Sequence, residues 1–179
     1  MAYQIFPLKG CDDIEFGMTR DQVRARFSEP ALEDDLHDGM EPCDWYHSLG
    51  ICFEYDLEYH LQAIEFFEPA KPVLNGVSVL DLTLAQMGTM LARLDPSTVE
   101  EDYVATAYDL AIGVWAEDQD DIGPDAPLTT FLIGKPGYYD EFRPGAPEMN
   151  IWDLGDKLGE LGRQIVLEDY GERPTTPKK

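Results

Sequence analysis

The stretch Met18-Thr19-Arg20-Asp21-Gln22-Val23 decides how this chain is read, because its pattern returns as Leu82-Thr83-Leu84-Ala85-Gln86-Met87. Each is a capping box set inside a hydrophobic staple. The threonine hydroxyl accepts from an orphan N–H of the first helical turn, and the glutamine three residues on reaches back to the threonine N–H. Met18 with Val23, and Leu82 with Met87, close the staples. One such box arises easily by chance. Two in equivalent settings point to a unit written twice.

The residues downstream of the two boxes run in parallel. The spacing predicts a first helix through Phe27 that stops before Pro30, and a second through Leu91 and Leu94 that stops before Pro96. Proline cannot continue the helical ladder, so both stops have a mechanism. Each helix leads through an acidic connection into runs of aromatic and β-branched residues bounded by turn formers, the mark of antiparallel strands. In the first half these runs span 48–55 and 61–67, joined by 56–59; in the second they span 108–115 and 128–133, joined by 117–127.

The expected fold class is therefore α+β, with two tandem helix-plus-antiparallel-sheet repeats, about 12–70 and about 76–135, packed as a pseudo-dimer. A C-terminal extension and helix, about 136–170, completes a single domain over 1–171. Its Ile151, Leu154, Leu158, Leu161 and Ile165 fall on one helical face. Gly155, Gly159 and Gly162 weaken that helix and make it depend on docking. Residues 172–179, with two prolines and two terminal lysines, are expected to be a disordered tail.

Charge is the second organising feature. The 179 residues hold 36 Asp and Glu against 13 Lys and Arg, a net charge of −23. Residues 27–70 contain twelve acids, residues 94–134 contain ten, and neither stretch has a Lys or Arg. Apolar residues at 44% and aromatics at 11% supply ample core, which separates the chain from disordered acidic proteins. So much like charge destabilises a compact state, and its natural use is to meet a basic partner. It argues against direct nucleic-acid binding, where phosphates call for Lys and Arg. It equally disfavours anionic membranes.

No apolar run approaches the eighteen or so residues of a membrane span. Leu8-Lys9-Gly10-Cys11 faintly resembles a lipoprotein cleavage box, but the residues before it form neither a charged leader nor an apolar segment. The three cysteines, Cys11, Cys43 and Cys52, are odd in number and lack C-x-x-C spacing. Reduced thiols and a cytoplasmic location are expected, with Cys52 a small core residue.

Two stretches mix acids with aromatics as binding surfaces do. Glu33, Asp34, Asp35, Asp38 and Glu41 lead into Trp45, while Glu117, Asp118, Asp120, Asp121 and Asp125 form a second acidic loop. Tyr138 and Tyr139 stand between Gly-Pro turns. Aromatic anchors supply contact energy, and acids steer a basic partner. Taken singly, Trp45, Tyr46 and Tyr138 read first as core residues. Taken together, the acidic stretches read as a partner surface.

Patterns for chemistry are weaker. Counted from Asp118, an EF-hand loop fails at position 5, Ile122, and at position 12, Thr129. His37, His47 and His60 lack helical pairing, and Cys43 and Asp44 near His47 promise no convergent metal or nucleophilic site. Neither a phosphate-cradling glycine loop nor a G-x-S-x-G elbow occurs. No catalytic residue, metal or cofactor is assigned, and the chain is not read as an enzyme.

Phe16-Gly17-Met18-Thr19-Arg20-Asp21-Gln22-Val23, with strands near Gly50 downstream, resembles the helix start of BamE-type outer-membrane assembly lipoproteins. The doubling is similar to the architecture of β-lactamase inhibitory protein, whose two helix-plus-sheet units form a concave surface that grips an enzyme. In its compact acidic character the chain also resembles immunity proteins that neutralise toxins passed between bacteria. These resemblances imply an immunity protein that inhibits a basic toxin domain, such as a nuclease, by steric and electrostatic occlusion. A non-toxin assembly module is the first alternative, and an enzyme with an unrecognised carboxylate site the second.

Overall fold

Both threonines cap helices as their boxes demand. In the computed structural model, which describes residues 2–34, 42–101, 103–116 and 125–146, α1 spans Arg20–Arg24 and α2 spans Leu84–Leu94. The Thr19 hydroxyl accepts from the Gln22 N–H at 3.4 Å and Gln22 Oε1 accepts from the Thr19 N–H at 2.9 Å. Thr83 and Gln86 repeat this at 3.4 and 3.0 Å. Helix α2 ends at Leu94, just before Pro96, as expected. Helix α1 ends sooner than expected, because Phe27 turns inward and sets its ring 4.4 Å from that of Tyr46 and 5.4 Å from that of Phe53. Burying that ring takes precedence over another helical turn.

Most of the other regular structure among the described residues is strand. The strands are β1 Ala2–Phe6, β2 Gly10–Cys11, β3 Ile14–Glu15, β4 Leu32–Asp34, β5 Cys43–Tyr46, β6 Ile51–Tyr55 and β7 Leu61–Phe66. They continue as β8 Lys71–Leu74, β9 Val77–Ser78, β10 Val99–Glu101, β11 Val104–Ala107, β12 Ile112–Ala116 and β13 Leu128–Gly134. A smaller sheet has the order β3-β2-β1-β8-β9, with β1 and β8 parallel. The larger sheet is antiparallel, in the order β10-β11-β12-β13-β7-β6-β5-β4. The class is mixed α+β, with two sheets and two α-helices among the described residues.

The larger sheet divides at its centre into the four strands that follow α1 and the four that follow α2. There Phe66 pairs with Phe131, Glu65 with Leu132 and Ile64 with Ile133. Local details recur on both sides. Four-residue turns, 47–50 and 108–111, precede β6 and β12 and end on Gly50 and Ala111 at φ 69° and 50°. Register shifts fall at Glu54/Tyr55 and at Trp115/Ala116. Thr19 bridges His60, and Thr83 bridges Pro127. The sequence predicts two or three strands in each half; β4, β5, β10 and β11 raise that to four, and the smaller sheet has no counterpart among the sequence expectations.

The main core lies on one face of the larger sheet. Ile51, Phe53, Ile64, Phe66, Ile112, Val114, Phe131 and Ile133 meet Val23, Met87 and Leu91 from the helices and Tyr3, Ile5 and Leu74 from the smaller sheet. A second, smaller cluster on the other face gathers Ala63, Tyr108, Ala111, Leu132 and Tyr139. Residues 135–146 run as turns, with one 3-10 turn at Asp140–Phe142. The expected C-terminal helix and tail fall outside the described residues.

Candidate functional site

All eight strands of the larger sheet lie within the two stretches that lack Lys and Arg. Side chains alternate across a strand. On β6 and β7, Ile51, Phe53, Ile64 and Phe66 therefore enter the main core, while Cys52, Glu54, Ala63 and Glu65 face the other way. Glu54 and Glu65 are diagonal neighbours there, since Cys52 pairs with Glu65 and Glu54 with Ala63. Both are half-buried. Burial pushes the Glu54 carboxyl above the ordinary value, partly offset by the Tyr138 hydroxyl donating to its Oε2 at 2.7 Å. Burial also raises Glu65, and the Glu54 charge adds to the rise.

The segment after β13 lays tyrosines over this face. Gly134 makes room for Tyr138: a Cβ on Gly134 would fall 2.5 Å from Tyr138 Cβ and Cγ. Gly113 plays the same part for the Tyr139 hydroxyl, with the Trp115 ring 2.7 Å from the same point. The Tyr138 and Tyr139 rings meet edge-on at 5.0 Å. Tyr139 is 7% exposed, and its hydroxyl has no hydrogen-bond partner among the described residues. Burial, then the charges of Glu54 and Glu65, hold its proton in place. Further along, Trp45 is half-buried; its ring stacks on His47 at 5.5 Å and its Nε1 donates to Cys43 Sγ at 3.0 Å.

Trp45, Tyr138 and Tyr139, singled out from the sequence, thus belong to one face. Glu33 and Asp34 lie on the edge strand β4, paired with Asp44 and Cys43. Asp125 is exposed, three residues before β13. Asp35, Asp38, Glu41, Glu117, Asp118, Asp120 and Asp121 fall outside the described residues. The residues flanking the two acidic loops lie at opposite ends of the strands. Cys43 is level with Glu54, Ala63 and Gly134, whereas Ala116 is level with Leu128. Five-residue strands put those ends about 17 Å apart.

Glu54 and Glu65 are absent from the candidates that the sequence suggests. The available signal was a lone acid inside each apolar run, Phe53-Glu54-Tyr55 and Ile64-Glu65-Phe66. An acid flanked by core residues in a strand marks the face turned from the core.

The opposite side of the sheet holds a structural lock. Asp44 receives Arg20 Nε at 2.9 Å, Arg24 Nε at 2.8 Å and the Tyr55 hydroxyl at 3.2 Å, which ties α1 to β5. Cys11, Cys43 and Cys52 are buried and unbridged. Burial pushes the Cys11 thiol up to about 12 and raises Cys52 as well, so both stay protonated. Among the described residues no three His, Cys, Asp or Glu converge on a metal site, and no helix is long and apolar enough to cross a membrane. No family model matches the chain, and neither does any curated protein or solved structure.

Proposed function

We propose that this chain is a cytoplasmic immunity-type protein that binds a basic toxin domain and inhibits it by occlusion rather than by catalysis. The observation that carries the reading is the confinement of charge: all eight strands of one sheet, with the connections inside each half, are acidic overall and free of Lys and Arg. A surface of one sign speeds association with a partner of the other sign and repels wrong ones. The acids of 33–41 and 117–125 stand in for phosphates that a nuclease would otherwise hold. Because the residues flanking these loops lie at opposite ends of the strands, a partner touching both loops spans the length of the sheet's strands.

The fold supports this reading as a duplicated unit. Each copy is one capped helix with four antiparallel strands after it, and the two copies join through β7 and β13 as a pseudo-dimer. Glu65 and Leu132, opposite each other at that seam, lie on the axis that relates the copies. Matching turns, register shifts and threonine bridges accord with the same relation.

The test has two arms. Basic proteins captured on the intact chain are co-expressed with it in a host that each one poisons alone; rescue of growth is expected for the cognate toxin. Its affinity should fall steeply as salt rises, since surface charges are screened beyond about 10 Å at 0.1 M. Binding that ignores salt would remove the electrostatic mechanism. Salt-sensitive binding to a partner that is harmless alone would instead point to an assembly module.

A further inference from the structure

We infer that the groove between α2 and the β8–β9 turn is the seat of the chain's own residues 151–165, packed along α2 by their apolar side chains. Whether the chain binds a toxin does not bear on this contact. The groove has a volume of about 370 Å³, and Val77, Gln86, Met90, Arg93 and Leu94 line it. On α2 these residues stand on the side turned from Leu84, Met87 and Leu91, which are buried. Leu94 is 41% exposed and Val77 36%, while Met90 is half-buried. Arg93 is exposed and makes no ion pair among the described residues, in a chain with 36 acids. An apolar groove beside a free guanidinium suits an amphipathic segment of acidic character.

The tether selects the occupant. Ala146, where the described residues stop, donates its N–H to the Arg143 carbonyl at 2.8 Å. Arg143 Nη2 donates to Asp109 Oδ1 at 2.6 Å, and the Asp109 N–H donates to Asp95 Oδ2 at 2.9 Å. Asp95 follows Leu94 at the end of α2, so Ala146 stands near that end of the groove. The five residue steps from Ala146 to Ile151 reach at most about 18 Å, and Gln86 to Leu94 spans about 12 Å of helix. Residues 151–165 therefore enter at Leu94 and run antiparallel to α2. In the sequence, Ile151, Leu154, Leu158, Leu161 and Ile165 have helical spacing, and Gly155, Gly159 and Gly162 interrupt them. A helix of about 15 residues is marginal in water even when rich in alanine, and the glycines weaken it further. Such a stripe needs an apolar surface. The open face of the larger sheet also shows apolar side chains, but Glu54 and Glu65 lie there. Residues 148–160 hold Glu148, Asp153, Asp156 and Glu160 against Lys157 alone. That charge is repelled by the sheet face and attracted by Arg93.

Nuclear magnetic resonance of the full chain, labelled with carbon-13 at the Met, Leu and Ile methyls, reads the contact. Cross-relaxation is expected from the Met90 and Leu94 methyls to those of Ile151, Leu154 or Leu158, at an intensity that dilution does not change. Leu158→Asp should weaken the seating equilibrium at least about tenfold, the loss of one buried leucine. Arg93→Glu should weaken it about two- to fivefold, the range of one exposed charge pair. The Ile64 and Ile133 methyls, at the seam of the larger sheet, should keep their shifts in both variants, which separates unseating from unfolding. Absent cross-relaxation to residues 151–158 overturns the seat. Cross-relaxation seen only between differently labelled chains overturns it as well, by making a second copy the occupant. So does a groove whose Met90 and Leu94 methyls respond only to an added partner protein. A seating equilibrium that neither variant changes would equally refute the contact.

Discussion

Arg24 reaches from α1 to clasp both oxygens of Asp44, with Nε 2.8 Å from Oδ2 and Nη2 2.7 Å from Oδ1. Arg20 adds a third charged contact, at 2.9 Å, and the Asp44 side chain has no exposed surface. Removing one member of such a set leaves a buried charge uncompensated, so Asp44→Ala is expected to cost about 3–5 kcal/mol in denaturant unfolding. Arg24→Ala should cost less, since Arg24 is 30% exposed and Arg20 remains on Asp44. In the second half, Leu84 and Gly88 follow Thr83 as Arg20 and Arg24 follow Thr19, and β11, packed on α2, carries the buried Ala105, so this helix–strand contact is apolar. Replacing all three charges together, as Arg20→Leu, Arg24→Met and Asp44→Ala, should therefore destabilise less than Asp44→Ala alone. A triple variant weaker than the single one would show that the lock contributes more than its own neutralisation.

Four carboxyls, buried or half-buried, make the pH profile two-sided. Burial opposes ionisation of Asp44, but hydrogen bonds from Arg24 and Arg20 outweigh it and hold its carboxyl below the usual 3.8. Burial also opposes ionisation of Asp95, where bonds from Ser97, Leu110 and Asp109 outweigh it in the same way. A depressed carboxyl binds its proton more weakly in the folded chain, so its stabilisation holds above 3.8 and is lost as pH falls through the folded value. Glu54 and Glu65 are raised above the usual 4.5 and have the opposite sign. Their contribution is most favourable below 4.5 and fades as pH rises through the folded values. Glu65→Gln should accordingly raise the melting temperature at pH 7 and lose that advantage near pH 4. A Glu65→Gln variant with the wild-type profile at both pH values would refute the burial of that carboxylate.

How much of the fold is legible in the sequence depends on how local each signal is. The helix starts are readable because Thr19 with Gln22, and Thr83 with Gln86, act within one turn. The pairing of β1 with β8 is not, because Ala2 to Gln4 find Lys71 to Val73 across the whole first half, and no local pattern records that choice. Strand β5 is hidden for another reason. Cys43-Asp44-Trp45-Tyr46 has the pattern of an acid-aromatic binding stretch, whereas Asp44 points into the core to meet two arginines of α1. The acid that anchors the fold and the acids that form the open face are alike in chemistry. Only the strand alternation separates Asp44 from Glu54 and Glu65.

The two capping boxes offer a direct comparison. Thr19→Ala and Thr83→Ala each remove a hydroxyl acceptor from the first turn, at an expected cost of about 1 kcal/mol. Each change leaves an N–H at the helix start without its acceptor, at Gln22 and at Gln86. Similar losses in equilibrium unfolding are expected, and a loss at one site only would show that the two helix starts are not energetically equivalent.

Gly50 and Ala111 close equivalent turns with φ of 69° and 50°, yet they should respond differently to exchange. A methyl on Gly50 would meet backbone, 2.7 Å from the Ala70 nitrogen and 2.8 Å from that of Pro69. Backbone cannot yield as a flexible side chain does. Gly50→Ala should thus lose about 1–3 kcal/mol from the left-handed conformation alone, with the clash in addition. At Ala111 the methyl is already housed, fully buried in the small cluster with Tyr108 and Tyr139. Ala111→Gly relieves left-handed strain of about 1 kcal/mol but gives up a buried methyl of about 0.8 kcal/mol. The two terms nearly cancel, and unfolding should place Ala111→Gly within about 0.5 kcal/mol of the parent, the usual range for a neutral change. A large loss at Ala111 would mean that the small cluster depends on that methyl far more than its area suggests.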